Sequence, residues 1–238
     1  IVVSRIAGEG WDLPRQAYDS DSRHYLELDN AERQLIKEVA ASGKFKKIIL
    51  LLNGSNYVDL GFLYERTNSA EYNEFGKYID AVINIGSPGA NGIMALGGIL
   101  NGTVNPSGHT VDTVYTAYQN DPTWQNFGGN KSYLTPNGSD NYTRNGSSSD
   151  YYVVEYEENI YLGYRYYETR GKVEGEDWYN ANVVYPFGYG LSYTTFEQKI
   201  VKSTIKKGST VGENNKVIAL TVEVKNTGNV AGKEAVQL

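Results

Sequence analysis

Short apolar runs alternate with amphipathic stretches along the first hundred residues. Three runs, each closed by turn residues, predict buried β-strands over residues 1–6, 47–53 and 81–85. Between the first and second runs, Asp29 is followed three positions later by Glu32, a pattern typical of the start of a helix. Strands that alternate with helices indicate βαβ units and a parallel sheet.

The helix after Asp29 is expected to pack against this sheet through one apolar face. Four residues at helical spacing form that face: Leu35, Ile36, Val39 and Ala40. Weaker helical patterns cover residues 70–78 and 93–100, and the second of these ends at an Asn-Gly turn. The first part of the chain is therefore predicted to be a parallel-sheet α/β sandwich.

The pattern changes after residue 196. Residues 217–225 alternate between apolar and polar positions with a period of two, a turn follows, and residues 233–238 are expected to begin a further strand. We therefore predict an α/β domain over residues 1–196 and an incomplete antiparallel β-sandwich over residues 197–238. An incomplete sandwich leaves sheet edges unpaired, and the chain opens directly on a strand, so we expect a piece of a longer protein.

Residues 105–150 interrupt this order. They are rich in Asn, Gly, Ser, Thr and Tyr, and they are too many for an ordinary connection. Two interpretations stay open, a functional loop over a site and a partly disordered segment.

Glu9 is the candidate for chemistry at the end of the first predicted strand. Ligands of open α/β sheets bind beyond the carboxyl ends of the strands. Gly8 and Gly10 flank Glu9 and allow a sharp bend and a close approach by a substrate. Trp11 offers an apolar face that would raise the pKa of a neighbouring carboxyl group by desolvating it. From these residues alone, an ordinary solvated loop carboxylate is the favoured interpretation of Glu9.

Composition narrows the classes of function. The net charge is -6 and no basic stripe is present, which argues against a nucleic-acid partner. There is no cysteine, and His24 and His109 are the only histidines, so we expect no metal centre. No apolar run approaches the roughly 20 residues of a membrane span, and no basic leader opens the chain. The 21 tyrosines slightly favour a surface that contacts sugars, and the compartment stays open.

Four segments carry a resemblance to a known family. Residues 4–12 read Ser-Arg-Ile-Ala-Gly-Glu-Gly-Trp-Asp, and residues 105–108 read Asn-Pro-Ser-Gly. Residues 156–167 read Tyr-Glu-Glu-Asn-Ile-Tyr-Leu-Gly-Tyr-Arg-Tyr-Tyr, and residues 185–196 read Tyr-Pro-Phe-Gly-Tyr-Gly-Leu-Ser-Tyr-Thr-Thr-Phe. In this order they resemble the motifs of glycoside hydrolase family 3, the β-glucosidase family.

The resemblance implies a retaining exo-β-glycosidase of bacterial type. Members are built from a TIM-like barrel with an Asp nucleophile, an α/β sandwich with a Glu acid/base and a fibronectin type III-like module. By residue match the acid/base is Glu9. Trp11 is expected to line the site of the leaving group, and packing in the core or at its rim is an equally open interpretation. The implied partners are a β-glucoside or oligosaccharide substrate and the barrel of the same full-length protein, with no cofactor. Since these residues contain no barrel, we expect the fragment to be inactive alone.

Other interpretations remain at this point. The chain could be a non-catalytic carbohydrate-binding or scaffolding module. A nucleotide site at Gly86, Gly89 and Gly92 is a further alternative, but the spacing departs from the dinucleotide fingerprint. Glu157 and Glu158 are adjacent carboxylates that we interpret as structural, because neighbours on an ordered element point in different directions.

Overall fold

The computed structural model describes residues 1–6, 23–126, 156–206, 208 and 218–237. Glu9 and Trp11 lie outside these residues. The chain forms two compact units, the first from Ile1–Pro88 and Val111–Phe187, the second from Gly89–Thr110 and Gly188–Leu238. The contacts thus divide the chain at positions other than residue 196, and the predicted domain boundary stays a prediction.

The first unit is built on a parallel three-stranded sheet. Its strands are β1 (Val2–Ser4), β2 (Ile49–Asn53) and β3 (Ala81–Asn84), in the order β1-β2-β3. Val3 pairs with Leu52 across β1 and β2, and every pairing in the sheet is parallel. The predicted parallel α/β fold is confirmed, with each strand shorter than its apolar run.

The two faces of the sheet differ in burial. Val3, Leu50 and Leu52 are buried in the core, whereas Val2 keeps 54% of its surface exposed. Buried strands were expected at all three places, and this is wrong for β1 and for β3, in which no residue is buried and Ala81 and Asn84 are exposed. The reason is their place in the sheet: β1 and β3 are its edge strands, and successive side chains of a strand point to opposite faces.

Helix α1 (Asn30–Ala41) connects β1 to β2 along the chain, and its predicted start is confirmed. Asp29 Oδ1 accepts the Glu32 N–H at 2.7 Å, and Glu32 Oε2 accepts the Asp29 N–H at 3.0 Å. Of the predicted apolar face, Ile36 is fully buried but Leu35 is 45% exposed. Neighbouring residues on a helix point about 100° apart, so only one of these two side chains, Ile36, faces the core.

The first unit contains further short elements. The helices and strands are α2 (Ala70–Glu74), β4 (Val114–Tyr115), α5 (Pro122–Asn126), α6 (Tyr164–Glu174), α7 (Glu176–Asn182) and β5 (Val183–Tyr185). Single 3-10 turns lie at Gly61–Leu63, Glu65–Thr67, Gly76–Tyr78 and Tyr118–Asn120. The helix predicted over residues 70–78 is therefore α2 followed by a separate 3-10 turn. β4 and β5 form an antiparallel pair.

One hydrophobic core holds these elements together. Phe75 is fully buried at its centre, 5.1 Å from the ring of Phe62. The other buried members of the core are Val3, Leu28, Ile36, Leu50, Leu52, Val58, Leu60, Leu63 and Val184. Residues of β1, β2, β5 and α1 thus share one interior, which fixes the edge of the sheet relative to the helices.

The second unit contains helices and an antiparallel ribbon. Its elements are α3 (Gly89–Gly92), α4 (Met94–Leu100), β6 (Phe196–Ser203) and β7 (Leu220–Asn226). β6 and β7 pair antiparallel, as the period-two pattern predicts for residues 217–225. The strand expected from residue 233 is wrong: the described residues 227–237 contain no strand. There the Gln198 side chain of β6 donates to Glu234 Oε1 and to the Ala235 carbonyl. Side-chain hydrogen bonds, rather than a backbone ladder, thus connect these residues to β6.

In the part of the chain that the structure describes, no helix combines the length and apolar character needed to cross a bilayer.

Candidate active site

The carboxyl edge of the parallel sheet is the described region closest in sequence to Glu9. β1 ends at Ser4, and the chain then leaves the sheet toward residues 7–22. The Arg5 N–H donates to the Asn53 carbonyl at 3.2 Å, and the Gly54 N–H donates to the Gly86 carbonyl at 3.0 Å. A Cβ on Gly54 would lie 2.8 Å from the Arg5 carbonyl oxygen, so glycine is required for this approach. The three strand ends are therefore held close together.

Arg5 is a buried anchor just before the segment that carries Glu9. Its guanidinium makes a two-pronged ion pair with Glu32, at 2.7 and 2.8 Å. It also donates at 2.6 Å to the carbonyls of Tyr25 and Glu27. Burial opposes the charge on Arg5, but the hydrogen bond and charge of Glu32 outweigh it and raise the pKa of the guanidinium. Glu32 also caps α1, so one carboxylate joins the helix to the strand end.

Tyr25 makes a second connection at the same place. Its hydroxyl accepts the Ile6 N–H at 2.8 Å, and its buried ring lies 5.4 Å from the Arg5 guanidinium carbon. Ile6 and Tyr25 flank the segment 7–22 on either side. The positions from which the Glu9 segment leaves and returns are therefore bonded to each other.

We expect Arg5→Lys to lower the free energy of unfolding by about 2 kcal/mol. Lysine keeps the charge beside Glu32 but cannot form the two-pronged pair or reach both carbonyls. Urea denaturation of the 238-residue chain measures the change. Arg165→Lys is the matched control, since Arg165 is exposed and has only a ring contact in the described part of the chain. Equal stability of the two variants would contradict the anchoring role.

A column of stacked tyrosine rings lies beside the sheet. Tyr57 stacks on Tyr115 with 4.6 Å between ring centroids, and Tyr115 stacks on Tyr167 with 5.2 Å. The Tyr167 hydroxyl donates to Asp121 Oδ2 at 3.3 Å. Burial raises the pKa of Asp121 and of Tyr167 above their ordinary values. Burial in this column therefore disfavours the ionised form of both groups.

Asp59 is a perturbed carboxyl group that the sequence analysis missed. Burial raises the pKa of Asp59 to about 7, assisted by the nearby Glu27 and opposed by the Gly61 N–H, which donates to Oδ1 at 2.9 Å. The signal in the sequence is an acid placed between two apolar residues, Val58 and Leu60, both of which lie in the core. A carboxyl group with a pKa near neutrality can exchange a proton at physiological pH.

The segment 156–167 supplies structural contacts. Glu158 is buried and accepts a hydrogen bond from the Asn126 amide, in agreement with the structural interpretation. Within the described residues, the Arg165 guanidinium carbon lies 6.0 Å from the centre of the Tyr164 ring.

Two of the motifs contact each other in the second unit. Asn105 Oδ1 accepts the Ser192 hydroxyl at 2.9 Å and the Tyr193 N–H at 2.8 Å. The Thr110 N–H donates to the Tyr189 carbonyl at 2.7 Å. The resemblance in residues 105–108 and 188–196 therefore reflects a shared structural connection. Among the described residues, no three His, Asp or Glu side chains are grouped so that they could hold a metal ion.

Comparison with known proteins defines the class. Residues 1–193 match the sequence profile of the family described as Glycosyl hydrolase family 3 C-terminal domain. The fold and motifs thus define a glycoside hydrolase-type protein. More narrowly, the chain belongs to glycosyl hydrolase family 3, within its C-terminal domain, and the predicted resemblance is confirmed.

Relatives align over the whole chain. The chain is 30% identical over 261 residues to Beta-glucosidase A of Butyrivibrio fibrisolvens, with all of this chain and 27% of that protein covered. It is 30% identical over 237 residues to a Beta-glucosidase of Ruminococcus albus, again over all of this chain and 19% of that protein. The structure of beta-glucosidase 3B from Thermotoga neapolitana in complex with glycerol is similar with a TM-score of 0.63 and 28% identity. That similarity covers 97% of this chain and 25% of the other. The chain thus spans between about a fifth and just over a quarter of the length of these relatives.

Proposed function

We propose that the chain is the part of a retaining β-glucosidase that supplies the general acid/base, acting on terminal non-reducing β-D-glucosyl or related β-glycosyl residues. The observation that carries the proposal is family membership over residues 1–193, together with relatives named beta-glucosidases that align over the whole chain. The nucleophile is proposed to be an Asp of a TIM-like barrel elsewhere in the full-length protein.

Glu9 is the proposed acid/base. It matches the glutamate of the family motif, and it follows a strand whose carboxyl end lies at the edge where α/β sheets bind ligands. The bonds of Arg5 to Glu32 and of Tyr25 to Ile6 support this role, because the backbone on either side of a proton donor must be held in a fixed position. Trp11 is proposed to line the site of the leaving group.

The proposed chemistry needs two carboxyl groups about 5–5.5 Å apart. The barrel carboxylate attacks the anomeric carbon while protonated Glu9 gives its proton to the glycosidic oxygen, and the C–O bond to the leaving group breaks. Water then attacks the glycosyl-enzyme, and the Glu9 carboxylate takes its proton. One side chain acts first as acid and then as base, so the net reaction is hydrolysis with retained configuration.

The surface of the first unit supports a companion domain. Tyr156 is 77% exposed and Ile160 is 60% exposed, and Tyr161 and Tyr164 are also exposed. Contiguous exposed apolar residues of this kind mark interaction sites. We propose that this segment contacts the barrel, and that the β6–β7 ribbon belongs to a fibronectin type III-like module.

The 238-residue chain is expected to show no hydrolysis of an aryl β-glucoside, because the nucleophile is not among its residues. Adding the barrel domain, or using the full-length protein, is expected to give turnover. Initial rates of aglycone release measure both. Turnover by the 238 residues alone would contradict the division of the site between two domains.

A further inference from the structure

A small cavity in the first unit has no role in the proposed reaction. It lies between α6, α7 and the 3-10 turn Tyr118–Asn120, and its volume is about 310 Å³. Pockets of this size are at the lower end for small-molecule sites, which suits a single hexose ring. Six residues line it: Asn120, Tyr166, Tyr167, Arg170, Trp178 and Asn182.

Aromatic rings form the apolar part of the lining. Tyr167 and Trp178 lie nearly parallel, with 26° between their planes and 6.3 Å between centroids. Tyr166 stands almost perpendicular to both, at 82° and 81°. The rings therefore pack against one another in a corner, and because the Arg170 guanidinium lies over the Trp178 and Tyr166 rings, that corner presents ring edges rather than open faces. An apolar edge of this kind can contact the C–H groups of a saturated ring.

Hydrogen-bonding groups form the polar part of the lining. Asn120 is exposed, and its amide has no hydrogen-bond partner in the described part of the chain. The Asn182 amide nitrogen donates to the Trp178 carbonyl at 2.7 Å, so its Oδ1 remains to accept. The Tyr166 hydroxyl accepts from Arg170 and keeps its own proton to donate. Donors and acceptors thus stand beside the aromatic corner.

The charge at the cavity favours an uncharged ligand. Arg170 is its one cationic lining residue, and Glu174 lies 3.6 Å away on the same helix. The guanidinium also lies 5.0 Å from the Trp178 ring and is held against it. An anion would have to compete with Glu174, whereas hydroxyl groups would not.

We propose that this cavity binds a neutral monosaccharide unit, with the ring carbons against Tyr166 and Trp178 and the hydroxyls on Asn120 and Asn182. The proposal rests on the proposed function only for the choice of a glucoside as the probe. Binding here requires neither the barrel nor proton transfer by Glu9.

Titration of the 238-residue chain with methyl β-D-glucopyranoside tests the proposal. Calorimetry or ligand-observed NMR is expected to show saturable binding in the millimolar range. Asn120→Ala removes an exposed side chain that has no hydrogen-bond partner among the described residues, so it is expected to leave the fold intact and to weaken binding by about tenfold. Asn73→Ala, on an exposed face of α2, is the matched control and is expected to bind as the parent does.

Further binding measurements distinguish a failure of this proposed site from a failure of the proposed function. Glu9→Gln is expected to leave the dissociation constant unchanged, whatever its effect on hydrolysis in the complete enzyme. Absence of saturable binding, an unchanged affinity in Asn120→Ala, or loss of binding in Glu9→Gln alone would overturn the proposal. Tighter binding of acetate than of the glucoside would also overturn it, since the site would then recognise anions.

Discussion

Replacing Glu9 by Gln in the complete enzyme is expected to slow hydrolysis of alkyl β-glucosides by about 10²–10⁴-fold. Hydrolysis of a dinitrophenyl β-glucoside is expected to slow far less in its bond-breaking step. An alkoxide is a poor leaving group and needs a proton from the acid, whereas a dinitrophenolate leaves without one. The ratio of kcat/KM for the two substrates, parent against variant, measures the effect. The limb of the pH profile that reports loss of the acid's proton is expected to disappear in the variant.

The matched control is Glu157→Gln, which removes a carboxylate from the segment 156–167. The ratio of kcat/KM for the two substrates is expected to be the same in this variant as in the parent enzyme. If Glu9→Gln slowed both substrates equally, or if Glu157→Gln produced the split instead, Glu9 would not be the proton donor.

Asp59→Asn is expected to stabilise the chain at pH 8 on the order of 3 kcal/mol and to change little at pH 4. Burial raises the pKa of Asp59 from 3.8 to about 7 on folding, so between these values the folded state holds a proton that the unfolded state has lost. Stability contributed by this group is therefore complete below pH 3.8 and is lost as the pH rises to about 7. Asparagine is neutral throughout and can still accept the Gly61 N–H.

Urea denaturation between pH 4 and pH 8 measures this difference, with the parent curve falling more steeply than the variant curve. Among the described residues, the groups that act on Asp59 are the Glu27 carboxylate and the backbone N–H groups of Gly61 and Tyr118, and none of them is a cation that would hold the carboxylate charged. Asp80→Asn is the control with the opposite sign, because the pKa of exposed Asp80 is lowered by Lys47. A parallel pH dependence of parent and Asp59→Asn would show that Asp59 is ionised in the folded chain.

The parallel sheet and the start of α1 could be predicted because both depend on local patterns. The apolar runs give β2 and β3 within a residue or two, and the Asp29–Glu32 capping pattern is complete within four residues. The motif match predicts the family, since long specific segments identify it without knowledge of their contacts. The burial of individual residues is harder to predict from the sequence, as the exposed Val2 and Leu35 illustrate.

The environment of the candidate site could not be predicted because it depends on contacts distant in sequence. Arg5 meets Glu32, Tyr25 and Glu27 only after the chain has folded back on itself. The cavity at Asn120 joins a 3-10 turn to two helices more than forty residues further along the chain. Asp59 stands between two apolar residues in the sequence, but only the folded chain shows that both of them lie in the core. Long-range geometry of this kind leaves no periodic trace in a single sequence.

The bond between Tyr25 and Ile6 has a consequence for how this protein could diversify. Because Ile6 and Tyr25, on either side of the segment 7–22, are bonded to each other, a longer segment between them costs little free energy, about 0.6 kcal/mol for each doubling of its length. Stretches of different size and composition could be transplanted between these two positions without disturbing strand register. The scaffold would thus tolerate exchange of the segment that carries Glu9 and Trp11, the residues proposed as the acid/base and as the lining of the leaving-group site.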